Sequence, residues 1–327
     1  MTPVLDDARA LAETPATAPP HISYVIPLLN ERPSLEELYR RIRAATEALG
    51  HGFEIVFVDD GSSDGSFDLI RTLHRADGRV RALRFGRNRG KSDALQAGFA
   101  AARGEIVVTM DADLQDDPDE VGKLLAALEA DGLDLVSGWK ATRHDPAEKR
   151  IFSKIFNGVT SRFSGVRLHD FNCGFKAYRR VVTDSFRVYG EMHRFLPVLA
   201  HWNGFRVGEV AVRHHPRRYG RSRFGASRIV KGLFDFTTVM FLVKFEKRPL
   251  HLFGSIGLAC LALGGGISLW FVLRWLLGEA MYMRPIMIGG WVLMVIGIQF
   301  VSMGLLGEML ARAHHQKAEV PIRERLG

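Results

Sequence analysis

An α/β domain with a mostly parallel sheet, followed by two helices long enough to cross a membrane, is the fold class that this 327-residue chain predicts. Two observations carry it. Between residues 21 and 110, apolar stretches of strand length alternate with stretches whose apolar residues recur at helical spacing. Beyond residue 250, the runs Leu252–Leu273 and Ile286–Gly307 contain no Asp, Glu, Lys or Arg. Roughly 20 apolar residues suffice to span a bilayer as a helix, and a buried hairpin in a large core is the alternative.

The elements follow in order. An apolar strand from His21 to Leu29 ends at Asn30 and Glu31. Pro33 and Ser34 open a helix through Leu49, with Leu35, Leu38 and Ile42 on one face. A second strand, Phe53 to Val58, ends in Asp59-Asp60-Gly61-Ser62-Ser63-Asp64-Gly65. A helix to about Ala76, a short strand from Val80 to Phe85, a helix from about Lys91 to Arg103 and a strand from Glu105 to Met110 continue the alternation. Such an order argues for parallel pairing, with ligands beyond the carboxyl ends of the strands. The acidic clusters at 59–60 and 111–113 both fall at that edge.

Composition divides the chain. Residues 1–20, rich in Ala, Pro and Thr and without a basic segment leading into an apolar one, read as a disordered tail rather than a secretory signal. Residues 21–228 form the α/β domain. Residues 229–249 mix Phe, Val, Leu and Met with Lys231, Asp235 and Lys244; they fit interfacial amphipathic helices or a core-packing helix. Residues 250–311 hold the two spans and residues 312–327 a basic tail. Lys244, Lys247 and Arg248 precede the spans and Arg312, Lys317, Arg323 and Arg325 follow them, so the positive-inside rule places both ends and the α/β domain in the cytoplasm. The net charge of +8 concentrates beside the apolar segments, which favours anionic lipid or phosphate over nucleic acid. Two cysteines, Cys173 and Cys260, provide no disulfide framework.

At the end of the fourth strand stand Asp111, Asp113 and Gln115, alternating so that a two-residue period can bring all three to one side of the backbone. Carboxylate and carbonyl oxygens suit a hard divalent cation such as Mg²⁺ or Mn²⁺ that shares its shell with substrate phosphates. The competing reading is a helix N-terminus: Asp116, Asp117 and Asp119 around Pro118 would complement the positive end of the helix that follows. Asp59-Asp60-Gly61-Ser62 fits a tight turn, or a pocket in which Asp60 accepts from a ribose or a base. The run Gly86 to Ser92 falls short of a phosphate loop, having three residues rather than four before Gly90-Lys91-Ser92.

Val25-Ile-Pro-Leu-Leu-Asn-Glu31, Val56-Phe-Val-Asp-Asp-Gly-Ser-Ser-Asp64, Met110-Asp-Ala-Asp-Leu-Gln115 and Asp170-Phe-Asn-Cys-Gly-Phe-Lys-Ala-Tyr178 occur in that order. In this the chain resembles family 2 glycosyltransferases of the Rossmann-like GT-A fold, and with its paired spans the branch that glycosylates polyprenyl phosphates, such as dolichyl-phosphate mannose synthase and undecaprenyl-phosphate sugar transferases. The resemblance implies transfer of a hexose to undecaprenyl or dolichyl phosphate with inversion, with UDP-glucose or GDP-mannose the favoured donors and UDP-galactose or a modified aminosugar left open.

It also implies site roles. Asp111, Asp113 and Gln115 would hold the metal; Pro27, Asn30, Glu31, Asp60 and Asp93, with Asp111, would hold the donor nucleotide. Arg221 and Arg223, in a Gly-punctuated basic segment that also suits anionic lipid, would contact the diphosphate. Arg143, Arg150 and Ser153 would take the acceptor phosphate, since Arg grips phosphate through paired N–H bonds. Asp113, Asp170 and Arg150 would be catalytic. A phosphate monoester is largely a dianion at neutral pH, so Asp170 is expected to position reactants more than to abstract a proton. His214 and His215 read as surface or packing residues. The rival readings are a silent scaffold or lipid-translocation subunit and a processive synthase, although the Gln-x-x-Arg-Trp segment of the latter is missing. A homo-oligomer assembled through the membrane helices stays open.

Overall fold

Strands that are covered on both faces read as continuous apolar runs rather than alternating ones, and β1 (Ile22–Leu28) and β2 (Phe53–Asp59) show why. Every residue of β2 is buried. The computed structural model describes residues 20–140, 157–158, 160–162, 164–185, 187–188, 190, 192–216, 249–278, 282–313 and 324–326. Almost all of the expected N-terminal tail and interfacial segment, and most of the basic tail, lie outside these. The described residues fall into two compact units, one comprising residues 20–216 with 324–326 and the other residues 249–313.

In the first unit, helices α1 (Arg32–Ala48), α2 (Ser66–Ala76), α3 (Lys91–Ala101) and α4 (Val121–Ala130) alternate with β1, β2, β3 (Val80–Arg84), β4 (Ile106–Thr109) and β5 (Leu135–Lys140). Then come β6 (Lys176–Arg179), α5 (Arg180–Asp184), α6 (Leu196–Trp202) and β7 (Val207–Val212). The last strand, β8 (Glu324–Leu326), follows the apolar helices in the chain. The sheet order is β7-β5-β6-β4-β1-β2-β3-β8. Strands β1 to β4 pair in parallel, as do β5 and β7, whereas β6 runs antiparallel to β4 and β5 and β8 antiparallel to β3. The alternation up to β4 matches the sequence expectation; the antiparallel insertion of β6 and the edge strand β8 were not foreseen.

One face of the sheet presents Tyr24, Ile26, Ile55 and Phe57 to Leu35, Leu38 and Ile42 of α1, Ile70 of α2 and Leu124 and Leu128 of α4. The other face presents Val56 and Val58 to Ala94, Ala97 and Ala101 of α3. At the amino ends of the strands a buried ion cluster ties the sheet together. Glu54, 1% exposed, accepts from Ser23 Oγ at 2.7 Å, from the Arg103 main-chain N–H at 2.7 Å and from Arg81 Nη1 at 2.9 Å. Burial pushes the Glu54 carboxyl up, but these donors more than offset it and hold it below the usual range.

The second unit is a hairpin of α7 (Pro249–Leu276) and α8 (Pro285–Ala313). Its glycines recur every seven residues, at 257 and 264 on one helix and 290, 297 and 304 on the other. That spacing keeps one bare stripe facing the partner. A Cβ on Gly257 would lie 2.7 Å from the Gly297 carbonyl oxygen, and one on Gly297 equally close to the Gly257 oxygen. Leu258, Leu263 and Trp270 on α7 and Val295, Ile298 and Met309 on α8 are exposed. Apolar helices that meet along glycine and turn their large side chains outward are built for a lipid solvent.

Two outcomes follow. Glu54→Gln removes a charge on which two arginines depend, and the loss of about 3 kcal/mol is measured by thermal unfolding in detergent. Because the folded carboxyl is depressed, its stabilisation is complete above the ordinary pKa near ~4.3 and fades as pH falls through the lower folded value, so the deficit shrinks in acid. Gly297→Leu forces the helices apart, and a cysteine crosslink placed between them should lose most of its yield.

Candidate functional site

The strand directions decide where function can sit. Because β6 is antiparallel to both β4 and β5, the latter two point the same way, and so does β7. The carboxyl ends of β1, β2, β4, β5 and β7 and the amino end of β6 therefore meet at one edge. Asn30 and Glu31, Asp60, Asp111 and Asp113, Lys140, Asp170 and His215 all lie there.

A groove of about 320 Å³ opens at this edge, lined by Pro27, Glu31, Asp60, Asn88, Lys91 and Asp111, with Asp113 beside them. It gathers five of the residues singled out from the sequence: Pro27, Glu31, Asp60, Asp111 and Asp113. Asp60, 5% exposed, accepts the main-chain N–H groups of Arg89 at 2.6 Å and Gly90 at 2.9 Å, and so fixes the loop that forms the opposite wall. Its burial pushes the carboxyl up against those bonds. Gly61, at φ +84°, lets the loops touch, since a Cβ there would lie 2.9 Å from the Arg87 carbonyl carbon.

Asn30 acts behind the groove rather than in its lining. It sits in the left-handed region at φ 59°. Its N–H donates to Ser62 Oγ at 2.8 Å and its Oδ1 accepts the Ser63 N–H at 2.9 Å, stitching the β1 and β2 loops together. Asp93, expected near the nucleotide, faces Arg89 Nε at 3.0 Å on the first turn of α3 and is not among the lining residues.

The segment after β4 is not extended. Leu114 has φ 58° and is 2% exposed, and Asp113 Oδ1 accepts the Gln115 N–H at 3.1 Å across the turn. The expected two-residue alternation is therefore replaced by a tight left-handed turn. The helix-end reading of the neighbouring acids holds for Asp117, which accepts the Asp119 N–H at 3.1 Å above the 3-10 turn Pro118–Glu120. Asp117 is also gripped by Arg41 and by His215 Nε2 at 3.0 Å. Asp116 behaves differently: 1% exposed, it lies 3.3 Å from Lys140 Nζ at the end of β5. Burial opposes charge on Lys140, and Asp116 and its acidic neighbours reverse that, holding the ammonium well above the lysine range.

Asp111 keeps 35% of its side chain exposed and is ion-paired with Lys91. Burial pushes its carboxyl up, and the Lys91 ammonium more than offsets this, leaving it at about 2. Gly174 backs it closely: a Cβ there would lie 2.8 Å from the carboxylate. A cation thus already stands at Asp111, and the donors around it are oxygen, which fits Mg²⁺ or Mn²⁺. Among the described residues no three His, Cys, Asp or Glu side chains converge as ligands. A metal here would depend on substrate oxygens and water for the rest of its shell.

Beyond Lys91 and Asp111 lies a narrow recess with Asn172, Lys176 and His193 in its wall. Ser92 Oγ meets His193 Nδ1 at 3.0 Å, and burial with nearby Lys91 pushes that imidazole well below its usual range, so it is neutral. Lys140 and His193 escaped the sequence reading, and Asn88 and Lys91 entered it only within the run that falls short of a phosphate loop. Lys91 alone had a legible signal, as a cation opening a helix just past a strand end. Asp170, 2% exposed, lies beside this region with Oδ1 accepting the Asn172 N–H at 3.1 Å. Arg143, Arg150, Ser153, Arg221 and Arg223 lie outside the described residues.

Comparison with known proteins fits this architecture. The model of glycosyl transferase family 2 matches residues 23–186. The chain is 37% identical over 305 residues to the dodecaprenyl-phosphate galacturonate synthase of Rhizobium johnstonii, covering 92% of this chain and 90% of that one. It is 40% identical over 296 residues to the undecaprenyl-phosphate 4-deoxy-4-formamido-L-arabinose transferase of Pseudomonas syringae, covering 90% and 86%. Among solved structures, mannosyl-3-phosphoglycerate synthase from Rubrobacter xylanophilus superposes with a TM-score of 0.53 at 17% identity, covering 68% of this chain and 74% of that one. Glucosyl-3-phosphoglycerate synthase from Mycobacterium tuberculosis, solved with Mn²⁺, UDP and glucosyl-3-phosphoglycerate, gives 0.51 at 20% identity, covering 68% and 80%. These two share the fold. With a matching family model and relatives aligned along nearly the whole chain, this protein belongs to glycosyl transferase family 2 and is a glycosyltransferase with a GT-A catalytic domain.

Proposed function

We propose that the enzyme transfers a sugar from a nucleoside-diphosphate donor to a polyprenyl phosphate at a membrane surface. The observation that supports this most strongly is the extent of the match. Both relatives named for polyprenyl-phosphate substrates align over at least 90% of this chain, catalytic unit and apolar hairpin together. The segments Pro249–Leu276 and Pro285–Met309, 28 and 25 residues long, are apolar enough to cross a bilayer. They would keep the enzyme where an isoprenoid presents its phosphate, and the flanking positive charge favours the cytoplasmic face. The relatives are named for galacturonate and a formamido-arabinose, which supports a uronic acid or modified aminosugar as donor beside UDP-glucose or GDP-mannose.

In this reading Pro27, Glu31 and Asp60 receive the nucleoside, and Lys91, Asp111 and Asp113 face the diphosphate. A bound Mg²⁺ or Mn²⁺, held by Asp111 and Asp113 with Gln115 at hand, would supply charge neutralisation for the departing diphosphate. Lys91, freed from Asp111, turns to a phosphate oxygen. Arg143, Arg150 and Ser153 hold the lipid phosphate and Arg221 and Arg223 cover the donor. One oxygen of the lipid phosphate dianion attacks the anomeric carbon as its bond to the diphosphate oxygen breaks, which inverts that centre. Asp170 orients the two reactants and need take no proton.

Full-length protein in liposomes with undecaprenyl phosphate, Mg²⁺ or Mn²⁺ and a panel of nucleotide sugars should form a lipid-linked sugar, detected by mass. Chelation should abolish it, and Asp113→Asn should lower the rate at least ~100-fold; nucleotide binding without transfer to any polyprenyl phosphate overturns the reading. Lys91→Met removes the cation that keeps Asp111 ionised, so burial takes over and its pKa rises. Nucleotide affinity of the variant, titrated from pH 7 downward, should therefore fall at higher pH than in the wild type, whose Asp111 titrates only at about 2.

A further inference from the structure

We infer that Glu209 and Asn157 are positioning residues, which hold Asp170 in place by clamping the peptide of His169 immediately before it. Glu209 lies in the middle of β7, paired in register with Ser137 of β5. Trp139 follows two residues later on the same face. Glu209 Oε2 accepts the main-chain N–H of His169 at 2.8 Å, and its Oε1 meets the His169 imidazole Nδ1. An ionised carboxylate only accepts, so Nδ1 carries a proton. On the other side of the same residue, Asn157 Nδ2 donates to the His169 carbonyl oxygen at 2.6 Å. The imidazole also stacks on Trp139, with ring centroids 4.3 Å apart and planes 19° from parallel.

His169 is thus held through its N–H, its C=O and its ring. Yet 65% of its side chain is exposed, so packing into the core does not account for the investment. The next residue is Asp170, whose side chain is turned inward. The Asp170 carboxylate is oriented locally through the Asn172 N–H, and the clamp fixes the peptide that carries the residue into the loop ahead of β6. Misplacing a reacting or orienting group by about 1 Å costs on the order of 100-fold in rate, whereas donor binding at the far side of the groove is indifferent to it.

The inference rests on the reading that Asp170 lies against the reactants. It is tested on the full-length protein in liposomes by steady-state kinetics with the active nucleotide sugar. Glu209→Met keeps the volume and removes the acceptor; it should lower kcat by about 10- to 100-fold while leaving the donor KM and nucleoside-diphosphate affinity near wild type. Glu209→Gln, whose amide oxygen still accepts the His169 N–H, should recover most of that loss. Unchanged kcat in Glu209→Met, a loss confined to KM, or Glu209→Gln as impaired as Glu209→Met overturns the clamp. If Glu209→Met melts well below wild type, Asn157→Leu decides instead, with kcat falling at unchanged KM expected and wild-type kcat overturning. Asp170→Asn is run in parallel. Full activity in that variant removes the reading of Asp170 and the inference with it, while an inactive Asp170→Asn beside a fully active Glu209→Met removes the inference alone.

Discussion

Burying a carboxylate is costly unless a donor meets it, and a sheet edge that gathers so many of them must be built around that requirement. Asp59, fully buried, accepts the Ser62 N–H at 2.9 Å and faces Arg84 Nε at 3.3 Å. Asp60 is met by two backbone N–H groups, Asp111 by Lys91, Asp116 by Lys140 and Asp117 by Arg41 and His215. Several partners come from other elements, Arg41 from α1, Arg84 from β3, Lys91 from α3 and Lys140 from β5, so satisfying the charges also fixes those elements against the loops that carry the acids. The groove is what remains between them. Its walls are set by the same bonds that satisfy the buried charges.

The first four strands and three helices were legible because a parallel sheet buried on both faces leaves apolar runs of strand length between helical stretches. The later strands hide for physical reasons. In β5 the run ends in Trp139 and Lys140, neither of them a core residue, and β7 is short, interrupted by Gly208 and Glu209, with only Val210 and Val212 packing into the core. Three residues, Glu324 to Leu326, carry no period at all, so the edge strand β8 exists only through its pairing with β3. At the site, acids at strand ends stood out, while their cations did not. Lys140 reaches Asp116 from a strand two places away in the sheet, a proximity no local pattern encodes. Asp93 pairs with its neighbour Arg89, which its place in the sequence does not announce, and the turn at Leu114 was hidden since a leucine gives no warning of a left-handed backbone.

The two units solve opposite solvation problems. In the catalytic unit large apolar side chains are hidden and glycine appears at loop crossings such as Gly61. In the hairpin the glycines at 257, 264, 290, 297 and 304 are hidden between the helices and many large side chains face outward. Both arrangements exploit the missing Cβ for close approach, once between loops and once between helices.

Asn30 and Leu114 are, among the described residues, the non-glycine positions with positive φ, and they follow the adjacent parallel strands β1 and β4. Glycine would relieve the steric penalty at either place, about 1–2 kcal/mol, but would forfeit the Asn30 bond to Ser63 or the burial of Leu114. The fold therefore stores strain on both flanks of the groove in exchange for side chains that pin each loop. A loop already confined to one conformation has little entropy left to lose, so a ligand that entered this groove would lose little binding energy to ordering the protein.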